Sequence, residues 1–354
     1  METPRVGWDV GTGHDMFISL DVLHEPENFG LRGAWAAGVR SRLPQPEREA
    51  AQKLVAACPW PLHWVYQLPA PKDGTAVLEG LAKVPVADRL DLFTSSRFLS
   101  EDALDLLRNV SARRAWDEQD LKQLQSFVRH EAKGRKTRYT SKKRLGQMLN
   151  VWAEPLAFGE GILPALQTYH EVFFAEEEQR IASHLETAVS YAKELAPTLD
   201  LPDLLEQLSN GLRFAESLEM TELILAPSFW VTPLMLFIPV KPDREIFFFG
   251  ARPTNVSLVP GDVVPDALFQ ALKAMADPTR LRILRYLAAE PMTPAELSRR
   301  LRLRAPTVIH HLHALRLARL VHLELNEDEN SKKYAARREA VTAAFHMLES
   351  FLDR

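Results

Sequence analysis

Between residues 299 and 319 the chain places six arginines (Arg299, Arg300, Arg302, Arg304, Arg316, Arg319) and three histidines (His310, His311, His313) without one carboxylate. A DNA duplex presents a dense row of phosphates, and neutralising them releases condensed counterions. Such a surface therefore gains affinity for DNA of any sequence. The same residue types also suit an ordinary solvated helical face, so the elements that carry them decide between the two.

Those elements form a pattern. Thr293 to Glu296 reads T-P-A-E, a capping box with proline at the first helical position. Ala295, Leu297 and Leu301 give the helix behind it one apolar side. A three-residue turn, Arg302-Leu303-Arg304, leads to a second helix with Pro306 in its first turn, where no N–H is needed. On that helix Val308, Leu312 and Leu315 fall at i, i+4 and i+7 and make a buried stripe, leaving Thr307, His310, His311 and Ala314 outward. Two short helices joined by a tight turn, the second with a polar outer face, describe a helix-turn-helix. Upstream, residues 267–276 form an amphipathic helix that stops at Asp277-Pro278. Asp277 can cap, and Pro278 open, a helix over 279–289. Downstream, LVHLEL alternates as a strand, the polar loop 326–331 turns it, and 332–335 returns. A last helix from about Arg337 carries Val341, Ala344, Phe345, Leu348, Phe351 and Leu352 on one stripe. The order is that of a winged helix-turn-helix.

The runs LKAMADPTRLRILRYL, AELSRRL and PTVIHHLHALRLARLV make residues 266–352, about a quarter of the chain, resemble the ArsR/SmtB family of bacterial transcriptional regulators. The resemblance implies a homodimer, paired through its first and last helices, that sits on a pseudo-palindromic operator and usually represses. A reading helix from each subunit would enter successive major grooves about one turn of double-stranded DNA apart. Carried over position by position, Thr307, His310 and His311 face the groove, His313 and Arg316 lie toward the phosphates, and Lys332 and Lys333 flank the wing. Arg299, Arg300, Arg302 and Arg304 supply the electrostatic docking. Three departures stand out. The family usually has a small hydroxyl residue where Arg304 stands, and polar residues where Ala305 and Ile309 stand, so direct base readout is weakened at that end. The wing tip, Asn326 to Asn330, is acidic, so the stem rather than the tip should approach DNA.

Many members of the family sense metals, and the ligands for that are incomplete here. The only cysteine is Cys58, far from the helix that carries a cysteine pair in such sensors. His346 and Glu349, spaced i and i+3, could form half of a second kind of site. The complementary half falls at Lys333 and Ala335, which offer no ligand, while zinc or copper sites usually need three or four. No metal and no other cofactor is expected.

The whole chain has 354 residues, 46% hydrophobic and 25% charged, as expected of a globular protein of two or three domains. It shows no secretory signal and no apolar run that could cross a membrane. One cysteine excludes an internal disulfide framework and fits a reducing cytoplasm, the expected location. Charge divides unevenly: residues 266–354 hold 15 Lys+Arg against 11 Asp+Glu, net +4, leaving 28 against 36, net −8, for residues 1–265. The proline-rich stretch 253–265 marks a boundary near Pro260. The expected fold is therefore mainly α with minor β: a winged helix-turn-helix over 261–354 and a mostly helical N-terminal domain over 1–260.

Within that N-terminal domain a strand is expected near 5–10 and a helix near 15–23. Helices are also expected over 31–42, 46–58, 75–81, 87–92 and 101–107, with a long one over 163–195. A small antiparallel sheet is expected over 221–250. Gly11-Thr12-Gly13 reads as a plain turn rather than a nucleotide loop. A second basic cluster over 129–144 either extends the DNA footprint or is a solvated helix end. His170, Glu171, Glu178 and His184 have metal-capable types but no uniting spacing, and read as exposed. All seven tryptophans lie in this region, at 8, 35, 60, 64, 116, 152 and 230. They either fill its core, in a domain that enlarges the dimer interface, or line an aromatic pocket for a small-molecule effector. No Ser/His/Asp, Cys/His or phosphate-loop constellation supports an enzyme. The alternative to an operator-binding regulator is a winged-helix interaction or dimerisation module that has lost operator recognition.

Overall fold

The computed structural model describes residues 4–57, 60–94, 99–131, 141–214, 220–241, 243–261, 264–326 and 331–353. The chain is mainly α-helical with minor β. Its described strands are β1 (Arg5–Trp8), β2 (Leu212–Phe214), β3 (Glu222–Ser228), β4 (Leu236–Lys241), β5 (Arg244–Gly250), β6 (Val321–Asn326) and β7 (Ser331–Ala336).

Four of them form a sheet in the order β1-β3-β5-β4. β1 pairs parallel with β3, and β3 parallel with β5; only β4 and β5 run antiparallel. The sheet is thus mixed, where an antiparallel one was expected. The whole helical body separates β1 from β3, which leaves the chain free to return in the same direction. The runs ELILAPS and REIFFFG are almost continuously apolar, as strands covered on both faces are, rather than alternating with polar residues. The apolar stretch from Phe229 to Met235 is not strand but turns, and β4 starts only at Leu236.

Side chains of this sheet point alternately into two different cores. Ile224, Ala226, Ile246 and Phe248 pack with the N-terminal helices. Their neighbours Leu223, Leu225, Phe247 and Phe249 pack with Ile283, Leu297, Val308, Leu312 and Leu315 of the C-terminal region. The apolar packing therefore runs across the boundary near Pro260, and the sheet is a wall shared by both halves. Helix Leu201–Ser209 joins the second core through Leu204, Leu205 and Leu208. Gly211 then turns the chain at φ 110°, where a Cβ would lie 2.8 Å from the His322 ring. That turn sets β2 parallel against β6, so the wing is a three-stranded sheet, β2-β6-β7, whose third strand comes from the N-terminal region.

The long helix is real and longer than expected. Pro155–Tyr169 continues through a π turn, His170–Phe174, into Ala175–Leu195. Phe173, Phe174, Ile181, Leu185 and Val189 are buried along it, as the spacing predicts. Trp64, Trp152 and Trp230 are buried and the other four tryptophans pack half-buried against one core or the other. Among the described residues no helix is long and apolar enough to cross a membrane.

Candidate nucleic-acid interface

The helix-turn-helix is built as its residues dictate. Asp277 accepts from the Arg280 N–H at 2.9 Å and starts helix Pro278–Leu287. Thr293 and Glu296 form a complete capping box at the start of helix Pro294–Leu301, the Glu296 carboxylate accepting from the Thr293 N–H at 2.7 Å. Arg302 ends that helix in the left-handed conformation at φ 56°, and the Ser298 hydroxyl donates to the Leu303 carbonyl to hold the turn. The reading helix, Ala305–Leu317, follows. Val308, Leu312 and Leu315 are buried on its inner stripe. Ala305, Pro306, Thr307, Ile309 and His310 form its exposed outer face.

The eleven residues expected at DNA fall into two groups. Arg299, Arg302, Arg304, Thr307 and His310 are exposed, and among the described residues no hydrogen bond or ion pair holds the three arginine side chains. Arg300 is exposed too, but its guanidinium donates to Glu290 at 2.6 Å and lies over the Tyr286 ring. Together these surround the turn and the N-terminal half of the reading helix with positive charge. The other residues point elsewhere. His311 is half-buried beside Asp277 and Arg280, and burial lowers its pKa against the pull of Asp277. His313 is packed against the backbone at Asn28, and burial lowers its pKa, helped by Arg316. Both imidazoles are therefore mainly neutral near pH 7, which leaves the positive charge to arginine. Arg316 is half-buried near Met235, 3.8 Å from its sulfur, and burial lowers its pKa. In this structure His313 and Arg316 thus face the N-terminal region instead of the solvent side where the phosphates were expected. The helix spacing alone cannot show this, because the body that covers that face comes from elsewhere in the chain.

Lys332 and Lys333 lie half-buried on β7, opposite Leu325 and Glu324 of β6. The acidic tip at 327–330 is outside the described residues, as are Cys58 and most of the basic cluster at 132–140. At that cluster's described end Lys142 pairs with Glu118 at 2.7 Å and Arg144 with Glu25 at 3.4 Å. Lys143 is exposed.

His346 and Glu349 are exposed and 3.3 Å apart, and no group of three or more His, Cys, Asp or Glu side chains is gathered for a metal among the described residues. Glu178, read as exposed, is in fact engaged: it accepts from the Gly74 N–H at 2.8 Å and lies 3.4 Å from His170. Gly11 follows the strand Arg5–Trp8 and precedes helix Thr12–His24, and Gly13 lies in that helix's first turn. The Gly13 N–H is already given to the Lys72 carbonyl at 2.8 Å, so the glycines serve close packing rather than a phosphate. Arg319, one of the six arginines, lies at the junction with the N-terminal region and not on the exposed surface.

Residues 277–322 match the family model described as bacterial regulatory protein, arsR family. No curated protein and no solved structure matches the chain. The matched segment runs from the Asp277 cap through the reading helix into the first wing strand. It is an arsR-type helix-turn-helix, a module of DNA-binding transcription regulation.

Proposed function

We propose that the protein is a transcriptional regulator, not an enzyme, that binds a pseudo-palindromic operator as a homodimer in the cytoplasm and represses. The observation that carries the reading is the exposed, unpaired set Arg299, Arg302 and Arg304 beside the exposed Thr307 and His310. Charge at the turn positions the reading helix on the backbone, and the polar side chains on its outer face read base edges. Dimerisation is supported by large apolar side chains left exposed on the first and last helices of the head: Phe269 at 46%, Phe345 at 52% and Leu352 at 72%. Effector sensing is supported by an open cleft of about 570 Å³ that includes Trp35, Phe173, Glu176 and Arg42. Behind the cleft wall Trp35 stacks on the buried Trp230, with ring centroids 6.4 Å apart. Arg180, on the cleft wall, donates to the Ser257 and Leu258 carbonyls of the segment leading to the head. A ligand in the cleft is thereby in mechanical contact with that segment.

A second reading, an interaction module without operator recognition, draws on Ile309, an apolar residue 54% exposed in the middle of the reading face. One experiment separates the two: binding of the purified protein to its own upstream promoter and to unrelated DNA at two salt concentrations. Selective binding that survives the higher salt supports the regulator. Equal, weak binding that vanishes with salt supports the interaction module and refutes the regulator. The mass in solution by light scattering checks the dimer.

A further inference from the structure

The reading helix ends in an unusual residue. Arg319 closes it with a left-handed backbone, φ 59°, its N–H bonded to the Arg316 carbonyl and the Leu320 N–H to the Leu315 carbonyl, both at 2.9 Å. This is the helix-terminating position at which glycine is free of strain and a side chain is not.

That side chain reaches the junction between the head and the N-terminal region. With Arg252, Asp266, Gln270 and Gly30 it lines a narrow pocket open to solvent, with a cavity volume of about 20 Å³. Every other charge around it is accounted for. Arg252 pairs with Asp266 and donates to the Thr232 carbonyl at 2.8 Å. Asp266 also accepts from the Leu258 N–H at 2.6 Å. Arg337 donates to the Asn210 carbonyl at 2.7 Å and to Glu339 at 3.0 Å. Gln270 donates to the Gly30 carbonyl at 2.8 Å. Arg319 alone has no hydrogen-bond or ion-pair partner for its side chain among the described residues. Burial, with Arg252 and Arg337 nearby, draws its pKa down to about 10, so it remains charged at neutral pH. A half-buried cation beside two further cations, with the local carboxylate already used and its own donors unspent, is a ready ligand for an anion.

We propose that the Arg319 pocket binds one compact oxyanion, a phosphate, sulfate or small carboxylate, with the Arg319 guanidinium as its principal ligand. The small cavity limits the ligand to a few atoms, with the rest of the group in the mouth. Since Arg319 and Gln270 come from the head and Arg252 and Gly30 from the N-terminal region, the bound anion ties the two together at the end of the reading helix. Binding at this site does not depend on whether the head binds DNA.

The test is thermal and denaturant unfolding of the full chain in millimolar phosphate, sulfate or acetate, each against chloride at matched ionic strength. Direct phosphate binding is measured by calorimetry alongside. A site specific to the folded state raises the folding constant by 1 + [L]/Kd, about 100-fold at a hundred times Kd. The effect saturates at one anion per chain, unlike the general salting effect of sulfate and phosphate, which keeps growing with concentration. Arg319→Gly should fold at least as stably as the unsubstituted chain in chloride and lose the anion response. Arg319→Lys should retain a weaker response. Arg114→Gly, which relieves the same backbone strain at an exposed helix end, should leave the response intact. The anion that saturates at the lowest concentration identifies the preferred group. Equal midpoints in all anions and chloride, or an undiminished saturable response in Arg319→Gly, would overturn the proposal. If Arg319→Gly does not fold, the calorimetric stoichiometry of the unsubstituted chain and the loss in Arg319→Lys decide it.

Discussion

Replacing Arg302 and Arg304 together by alanine separates charge from fold at the interface. Both side chains are exposed and unpaired among the described residues, so their loss leaves no buried group unsatisfied and the unfolding midpoint should stay where it is. Each phosphate neutralised adds about 0.9 to the slope of log affinity against log salt, so two lost contacts flatten the slope by about 1.8. Between 50 and 200 mM salt, a roughly fourfold rise, the unsubstituted protein should lose about 12-fold more affinity than the double variant. The loss should be similar on operator and unrelated DNA, because phosphate contacts carry no sequence information. Two controls sharpen the reading. Arg300→Ala should change the slope less, since Glu290 already offsets that charge at 2.6 Å. Arg316→Ala should leave the slope alone and lower stability instead, because that side chain is packed near Met235. Fluorescence anisotropy over a salt series gives every slope. An unchanged slope in the double variant, or one flattened as much by Arg316→Ala, would refute the placement of the charge.

Two further outcomes follow from the packing. Phe249→Ala, on the sheet face shared with the head, should cost about 3–5 kcal/mol and shift a single unfolding transition of the whole chain. Calorimetry showing two transitions, with the head's unmoved, would contradict the shared core. Asp15 is fully buried; burial pushes its carboxyl up to about 6, against the lowering pull of donors from Ser228, Trp230 and Phe229, while the Glu177 charge adds to the rise. A folded pKa above the unfolded one favours folding below about pH 4 and loses that contribution as pH climbs through about 6, on the order of 3 kcal/mol. Denaturant melts of the unsubstituted chain and Asp15→Asn from pH 4.5 to 7 should therefore diverge, the former losing stability relative to the latter. Parallel curves would show that Asp15 does not titrate there.

The head was legible because its signals are local. A capping box, an aspartate cap, a proline in a first turn and an i, i+4, i+7 stripe each act within a few residues of where they are read. Thr293 with Glu296, Asp277 with Arg280, and Val308 with Leu312 and Leu315 all sit as that logic requires. The N-terminal region was read less well. The apolar runs of β3 and β5 held the signature of a doubly covered sheet, but strand direction depends on a partner, β1, from the far end of the chain. β2 has three residues and no pattern of its own, and is a strand only because β6 lies beside it.

The same division holds at the interface. Sequence alone determined that a basic helix-turn-helix exists, which residues form its inner stripe, and that arginines crowd its turn, because helical periodicity and formal charge are properties of consecutive residues. Only the tertiary structure decided which of those cations meet solvent. Among the described residues no side chain pairs with Arg302 or Arg304, whereas His313, Arg316 and Arg319 are half-buried beside Asn28, Met235 and Arg252. Burial is set by what arrives from elsewhere in the chain, and it is burial that leaves one arginine on the open surface and holds another half-covered at the junction.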